Sequence, residues 1–135
     1  MSEFRRVTDA FSVAPQITLE DIARAAAEGF VLVINNRPDG ESPDDPQSAE
    51  IEAAARAAGL DYLYAPVVGG PTTAQAQAVA EAVEDAGGPV LAYCRSGTRS
   101  INTWALGQAL AGTKPRDELV RAGAAAGYDL RPILG

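Results

Sequence analysis

No histidine occurs anywhere in the chain, and cysteine occurs once, at Cys94. A single cysteine excludes an internal disulfide, and without histidine a zinc site is not expected; no metal and no cofactor is called for. The Ser–His and Cys–His dyads are likewise unavailable, so any nucleophile must be activated by its electrostatic surroundings. Apolar runs stop well short of the roughly 18 residues a membrane span needs. The first ten residues, with Glu3, Arg5, Arg6 and Asp9, lack the apolar centre of a secretory leader. Basic residues are also in short supply, 11 against 18 acidic, for a net charge of −7. That balance argues against nucleic acid or an anionic membrane surface as partner. A cytoplasmic, reducing compartment is the expectation, with Cys94 free. The length fits one domain over residues 1–135, with no repeat and no linker.

What is present converges on Gly87 to Leu110. A turn signal, Gly87-Gly88-Pro89, precedes the apolar run Val90 to Tyr93, which reads as a buried strand. Cys94 follows, then a polar loop through Arg99. Ser100 and Ile101 lead into a segment with apolar residues at Ile101, Trp104, Ala105 and Leu110, which reads as a helix. In this strand–loop–helix order the loop amides and the free N–H groups of the first helical turn converge on one point, which favours an anion. Cys94 opens that loop, and Arg95 and Arg99 add cationic charge. All three effects favour its thiolate. Gly97 permits a positive φ in mid-loop. The Ser100 hydroxyl is placed to donate to the sulfur, and Ser96, Gly97 and Thr98 supply the remaining amides of an anion cradle. A lone cysteine is ordinarily a small buried hydrophobe, but that role does not require two flanking arginines at a helix start.

The rest of the chain alternates strands and helices. Phe4 to Thr8 and Phe11 to Ala14 read as short edge strands. Thr18 and Asp21 form a capping pair for a helix whose apolar stripe runs through Leu19, Ile22, Ala23, Ala26 and Ala27, ending at Gly29. Phe30 to Ile34 reads as a central parallel strand. The polar loop Asn35 to Gln47 follows at its C-terminal end, the edge at which ligands bind in open parallel sheets. Arg37, Asp39 and Glu41 in that loop are auxiliary candidates: Arg37 to hold an anion, Asp39 or Glu41 as general acid. Ile51, Ala54, Ala55 and Ala58 give a second helix its inner face, and Asp61 to Ala65 is a further strand. The loop Pro66 to Thr73 precedes a helix that Thr72 or Thr73 caps and that runs to about Ala86. Pro115 starts a helix over Arg116 to Ala126, and Tyr128 to Gly135 reads as a surface tail. The implied fold is α/β: a single domain with a central, mostly parallel, four- to five-stranded sheet flanked by helices.

Cys94-Arg95-Ser96-Gly97-Thr98-Arg99-Ser100 resembles the active-site loop of single-domain rhodaneses. From about Phe4 to Leu134 the chain resembles the phosphatase-like domain of the bacterial beta-lactamase-hydrolase-like family. The matching stretches are Phe4–Asp9, Val33–Glu41 and Ala57–Tyr62. That family is similar in fold to dual-specificity protein tyrosine phosphatases, so the resemblance implies a protein tyrosine phosphatase-like fold and a thiolate enzyme with a covalent cysteine intermediate. The group carried stays open between phosphoryl and sulfane sulfur. A tyrosine phosphatase loop has one more residue between its Cys and its Arg than the four, Arg95 to Thr98, found here. The family's phosphatases often place a general-acid Asp near Pro66–Thr73, which holds no carboxylate.

Both departures lean towards sulfur transfer from a small anionic sulfane-sulfur donor through a Cys94 persulfide. In that reading Cys94, Arg99 and Ser100 are catalytic, and Arg95, Ser96, Gly97 and Thr98 bind the anion. The alternatives are hydrolysis of phosphate esters through a phosphocysteine and a non-catalytic anion- or redox-sensing module.

Overall fold

The computed structural model describes residues 2–135. Strand β1 (Arg5–Thr8) pairs antiparallel with β2 (Phe11–Ala14), and β2, β3 (Leu32–Asn35), β4 (Asp61–Tyr64) and β5 (Val90–Tyr93) run parallel in one five-stranded sheet of order β1-β2-β5-β3-β4. The helices are α1 (Leu19–Ala27), α2 (Ser48–Ala57), α3 (Thr73–Asp85), α4 (Thr98–Ala111), α5 (Arg116–Ala125) and α6 (Arg131–Leu134). The expected α/β fold with a mostly parallel sheet is what the chain adopts. Among the described residues no helix is long and apolar enough to cross a membrane.

Alternation along the strands builds two cores. Phe11, Val13, Leu32, Ile34, Val90 and Ala92 face one side and meet Val79 of α3, Ile101, Trp104 and Ala105 of α4, and Leu119 of α5. Ala14, Val33, Leu91 and Tyr93 face the other and meet Ile22 and Ala25 of α1 and Ile51 and Ala55 of α2. Helix α4 is buried along its first half: Ser100, Ile101, Thr103, Trp104, Ala105 and Gly107 are inaccessible. The Trp104 indole stacks on Phe11 at 5.1 Å between ring centroids and 6° between planes. Gly107 lets α3 and α4 touch, since a Cβ there would lie 2.5 Å from the Ala76 carbonyl oxygen.

Several elements differ from expectation, each for a tertiary reason. Strand β2 is no edge; it lies between β1 and β5 with all four residues buried. The strand expected at Phe30–Ile34 is Leu32–Asn35 and lies beside β5, which holds the middle. Phe30 instead packs edge-on against Phe4. The Thr18–Asp21 capping box forms, but the buried face of α1 is Asp21, Ile22 and Ala25, and Leu19 is exposed. Leu110 is also exposed, at the outer end of α4. Tyr128 to Gly135 is not a tail: Leu130 is fully buried against Gly123, and the short helix α6 packs Ile133 and Leu134 against the core. Four helical residues are too few to carry a periodic signal.

The register places the site. Tyr93, the last residue of β5, lies opposite Ala14 of β2 and Asn35 of β3, so all three strands deliver their following loops to one edge. The Phe11–Trp104 stack anchors α4 beneath that edge. Truncation of Trp104 to Ala is expected to cost about 3–5 kcal/mol in urea unfolding, with the m-value preserved.

Candidate active site

Cys94 leaves β5 between two loops that clamp its neighbours. The Asn36 N–H donates to the Tyr93 carbonyl at 2.9 Å, and the Gln16 N–H donates to the Arg95 carbonyl at 3.2 Å. The chain then turns sharply, and Gly97, at φ +89°, is the N-cap of α4. A side chain there would be strained by φ and would collide with the Tyr128 hydroxyl. The first backbone bond of α4 runs from Ile101 N–H to the Gly97 carbonyl at 3.0 Å. Helix α4 thus begins two residues before the expected Ser100, and Arg99 belongs to its first turn.

The thiol of Cys94 is fully buried, yet its surroundings are polar. The Gly97 N–H donates to Sγ at 3.1 Å. The amides of a first helical turn have no acceptor within their own helix, and the macrodipole adds positive potential at the same end. Ser100 is buried in this turn, and its Oγ has no hydrogen-bond partner among the described residues. Ser96 Oγ donates to Thr98 Oγ1 at 3.0 Å and accepts from the Thr98 N–H at 3.4 Å, which ties the loop's outer side to the helix.

Arg99 reaches across to the loop after β3. Its Nη1 and Nη2 grip the two oxygens of Glu41 at 2.7 and 2.8 Å, and Nη1 also donates to the Val67 carbonyl at 3.0 Å. The bond to Glu41 is the main reason its pKa stands above the ordinary arginine value; burial opposes, and the charge of the Cys94 sulfur adds to the rise. Glu41 also accepts from Arg37 Nε at 2.9 Å. Held chiefly by Arg99 and then by Arg37, its carboxyl falls to about 2. Arg37 is itself buried; that burial works against its charge, but bonds to Asp45 and Glu41 outweigh it and raise its pKa. Its Nη1 donates to Asp45 at 2.7 Å and to Gln16 Oε1 at 2.8 Å.

The candidates read from the sequence therefore divide. Cys94, Gly97 and Arg99 meet at one point, with Ser96, Thr98 and Ser100 in the same turn. Arg95 is exposed and lines a cleft of about 520 Å³ with Gln16, Arg37, Ser42 and Arg99. Arg37 and Glu41 border that cleft as an ion-paired unit. Asp39 is engaged elsewhere: its Oδ1 accepts from the Ser48 N–H at 2.8 Å, at the start of α2. Gln16 and the Val67 carbonyl escaped the sequence reading. The first would have followed from knowing that β2 pairs with β5, while a backbone acceptor leaves no trace in residue type.

The sequence profile of the beta-lactamase hydrolase-like protein, phosphatase-like domain, matches residues 3–111. The beta-lactamase hydrolase-like protein of Agrobacterium fabrum is 39% identical over 127 residues, which cover 93% of this chain and 29% of that protein. The chain thus spans less than a third of the length of the curated relatives it matches. Among solved structures, a Neisseria meningitidis protein named as a candidate phosphatase superposes with a TM-score of 0.81 at 31% identity, covering 94% of this chain and 90% of that one. TpbA of P. aeruginosa, solved in complex with pTyr, shares the fold at TM-score 0.66 and 15% identity, covering 97% of this chain and 80% of its own. These matches make the chain, with its buried cysteine met by a backbone amide, a member of the beta-lactamase hydrolase-like phosphatase-like domain family: a cysteine-based, anion-binding, phosphatase-like domain.

Proposed function

We propose that the domain transfers sulfane sulfur through Cys94. The observation that carries this reading is that, among the described residues, both carboxylates lining the cleft, Glu41 and Asp45, are ion-paired. Glu41 is held ionised by two guanidinium groups, Asp45 is taken by Arg37, and Asp39 caps α2. The loop Pro66–Thr73 has no carboxylate. Cleavage of an alkyl phosphate needs an acid for its poor leaving group, whereas displacement at a sulfane sulfur releases an anion that is stable without a proton.

The first step has the Cys94 thiolate attack the outer sulfur of a donor such as thiosulfate. An Sγ–S bond forms, the donor's S–S bond breaks, and the electron pair departs with sulfite. A thiolate or cyanide then takes the outer sulfur of the persulfide and returns Cys94 to its thiolate. The Gly97 N–H and the first turn of α4 stabilise the anionic sulfur, with Arg99 beside it. Arg95, exposed at the cleft, draws in the anionic donor; the Ser100 hydroxyl makes no bond to Sγ in this structure, contrary to expectation, and is left unpaired for the bound donor. A cytoplasmic setting would keep the thiol reduced.

Phosphate-ester hydrolysis is the second reading, favoured by the likeness to phosphatases. There Cys94 would form a phosphocysteine, and substrates with good leaving groups, such as aryl phosphates, would be preferred. One paired assay separates the two. Sulfur transfer predicts a mass gain of one sulfur after thiosulfate treatment and thiocyanate formation with cyanide. Both fall by on the order of 10³-fold or more in Cys94→Ser. Cys94-dependent, vanadate-sensitive phosphate release without any sulfur adduct would reverse the assignment.

The Glu41 ion pairs carry a pH signature. A carboxyl lowered from 4.5 to about 2 contributes stability that is complete above 4.5 and lost as pH falls through about 2. Thermal melts of the parent and Glu41→Gln are expected to differ most at neutral pH and to converge as the solution is acidified through that window.

A further inference from the structure

We propose that Tyr128 and Arg5 are positioning residues for Cys94, acting through the peptide unit that joins Ser96 to Gly97. The two ends of this one unit have separate partners. Its carbonyl oxygen, on Ser96, accepts from the Tyr128 hydroxyl at 2.9 Å. Its N–H, on Gly97, donates to Cys94 Sγ at 3.1 Å. All peptide bonds of the described residues are trans, and in a trans unit the C=O and N–H point in opposite directions. Holding the carbonyl on the outer side therefore aims the N–H at the sulfur.

The tether matters because of what glycine permits. Gly97 sits at φ +89°, and a glycine accepts either sign of φ, so rotation of the preceding peptide is open to the backbone alone. Rotation would turn the Ser96 carbonyl dipole towards the thiolate and replace an attraction by a repulsion. Tyr128 opposes it: the rotated unit would forfeit the hydroxyl bond. The phenol is itself anchored, since its oxygen accepts from Arg5 Nη1 at 2.8 Å and the Arg5 guanidinium carbon lies 5.3 Å from its ring centroid. Burial raises the Tyr128 pKa, against the lowering effect of Arg5, and keeps the donor proton in place at neutral pH. Charge on Arg5 polarises the hydroxyl, which polarises the peptide. The relay runs Arg5, Tyr128, Ser96–Gly97 peptide, Cys94, and it joins β1 and the α5–α6 connection to the nucleophile. Tyr128 lies beyond the 3–111 span of the family match, so nothing in the phosphatase-like assignment gives it a role.

The relay depends on Cys94 being a reactive thiolate and is indifferent to the group it carries, so the test uses an alkylating agent in place of a substrate. Tyr128→Phe keeps the ring and removes the hydroxyl. Its native-state rate of iodoacetamide reaction at neutral pH is expected to drop about threefold to tenfold, with equal rates for parent and variant in denaturant. The Gly97 amide proton resonance, displaced to low field by its bond to sulfur, is expected to move towards its position in Cys94→Ala. Arg5→Met should give a smaller change of the same sign, and Arg5→Lys should recover part of it. An unchanged alkylation rate and an unchanged Gly97 resonance in Tyr128→Phe would overturn the relay while leaving the proposed function untouched. Should that variant not fold, the same null result in Arg5→Met decides against the relay. A parent thiol inert to alkylation would instead sink the proposed function, and the Gly97 resonance would still report on the relay.

Discussion

A buried sulfur anion is tolerable only where fixed dipoles replace the water it has lost. In this domain a single turn of backbone between β5 and α4 offers such a dipole to the Cys94 sulfur. The Gly97 N–H meets Cys94 Sγ at 3.1 Å because Gly97 adopts φ +89°, and that conformation reverses the chain sharply enough to begin a helix at Thr98. Much of the fold serves to hold this turn. β5 is the middle strand, fixed by hydrogen bonds on both sides. Helix α4 is the most enclosed helix, locked by the Phe11–Trp104 stack and by the close approach to α3 at Gly107. Rigidity here is preorganisation: the Gly97 N–H already points at the Cys94 sulfur before any substrate arrives.

Around this backbone cradle the side-chain charges are arranged in alternation. Asp45, Arg37, Glu41 and Arg99 form a continuous chain of opposite signs leading to the sulfur. Each guanidinium is partly buried, and the carboxylates beside it offset the cost of that burial. The consequence is chemical as well as structural. With its carboxyl lowered to about 2, Glu41 stays ionised near neutrality and serves to orient Arg99 rather than to donate a proton.

The sequence was legible where local order alone determines the outcome. Gly87-Gly88-Pro89, an apolar run, Cys94 and Gly97 follow one another within a dozen residues, and strand, loop and helix need only short-range rules. The Thr18–Asp21 capping box was readable for the same reason. Where distant packing decides, the reading slipped. Leu19 and Ile22 are both apolar, yet the sheet takes Ile22 and Ala25 and leaves Leu19 outside. Arg99 reads as loop because its charge suits solvent, though the helix has already begun. Arg5 and Tyr128 are separated by 123 residues, and no spacing rule links an edge-strand arginine to a tyrosine after α5. Leu130 fills the core from a segment too short to show a period.

Conservation of charge along the reaction connects the cradle to the chemistry. In attack on a sulfane sulfur, one negative charge starts on Sγ and ends one atom further out on the persulfide. On the proposed sulfur-transfer reading, a dipole aimed at Sγ therefore serves reactant and product alike with little rearrangement. Phosphoryl transfer asks for more: three equatorial oxygens must be gripped in the transition state, and the forked face of Arg99 that suits them is filled by both oxygens of Glu41. A phosphate would have to draw on the backbone amides alone or displace a carboxylate that a second arginine also retains. The ion pair between Arg99 and Glu41 is thus the feature on which the two proposed chemistries differ most.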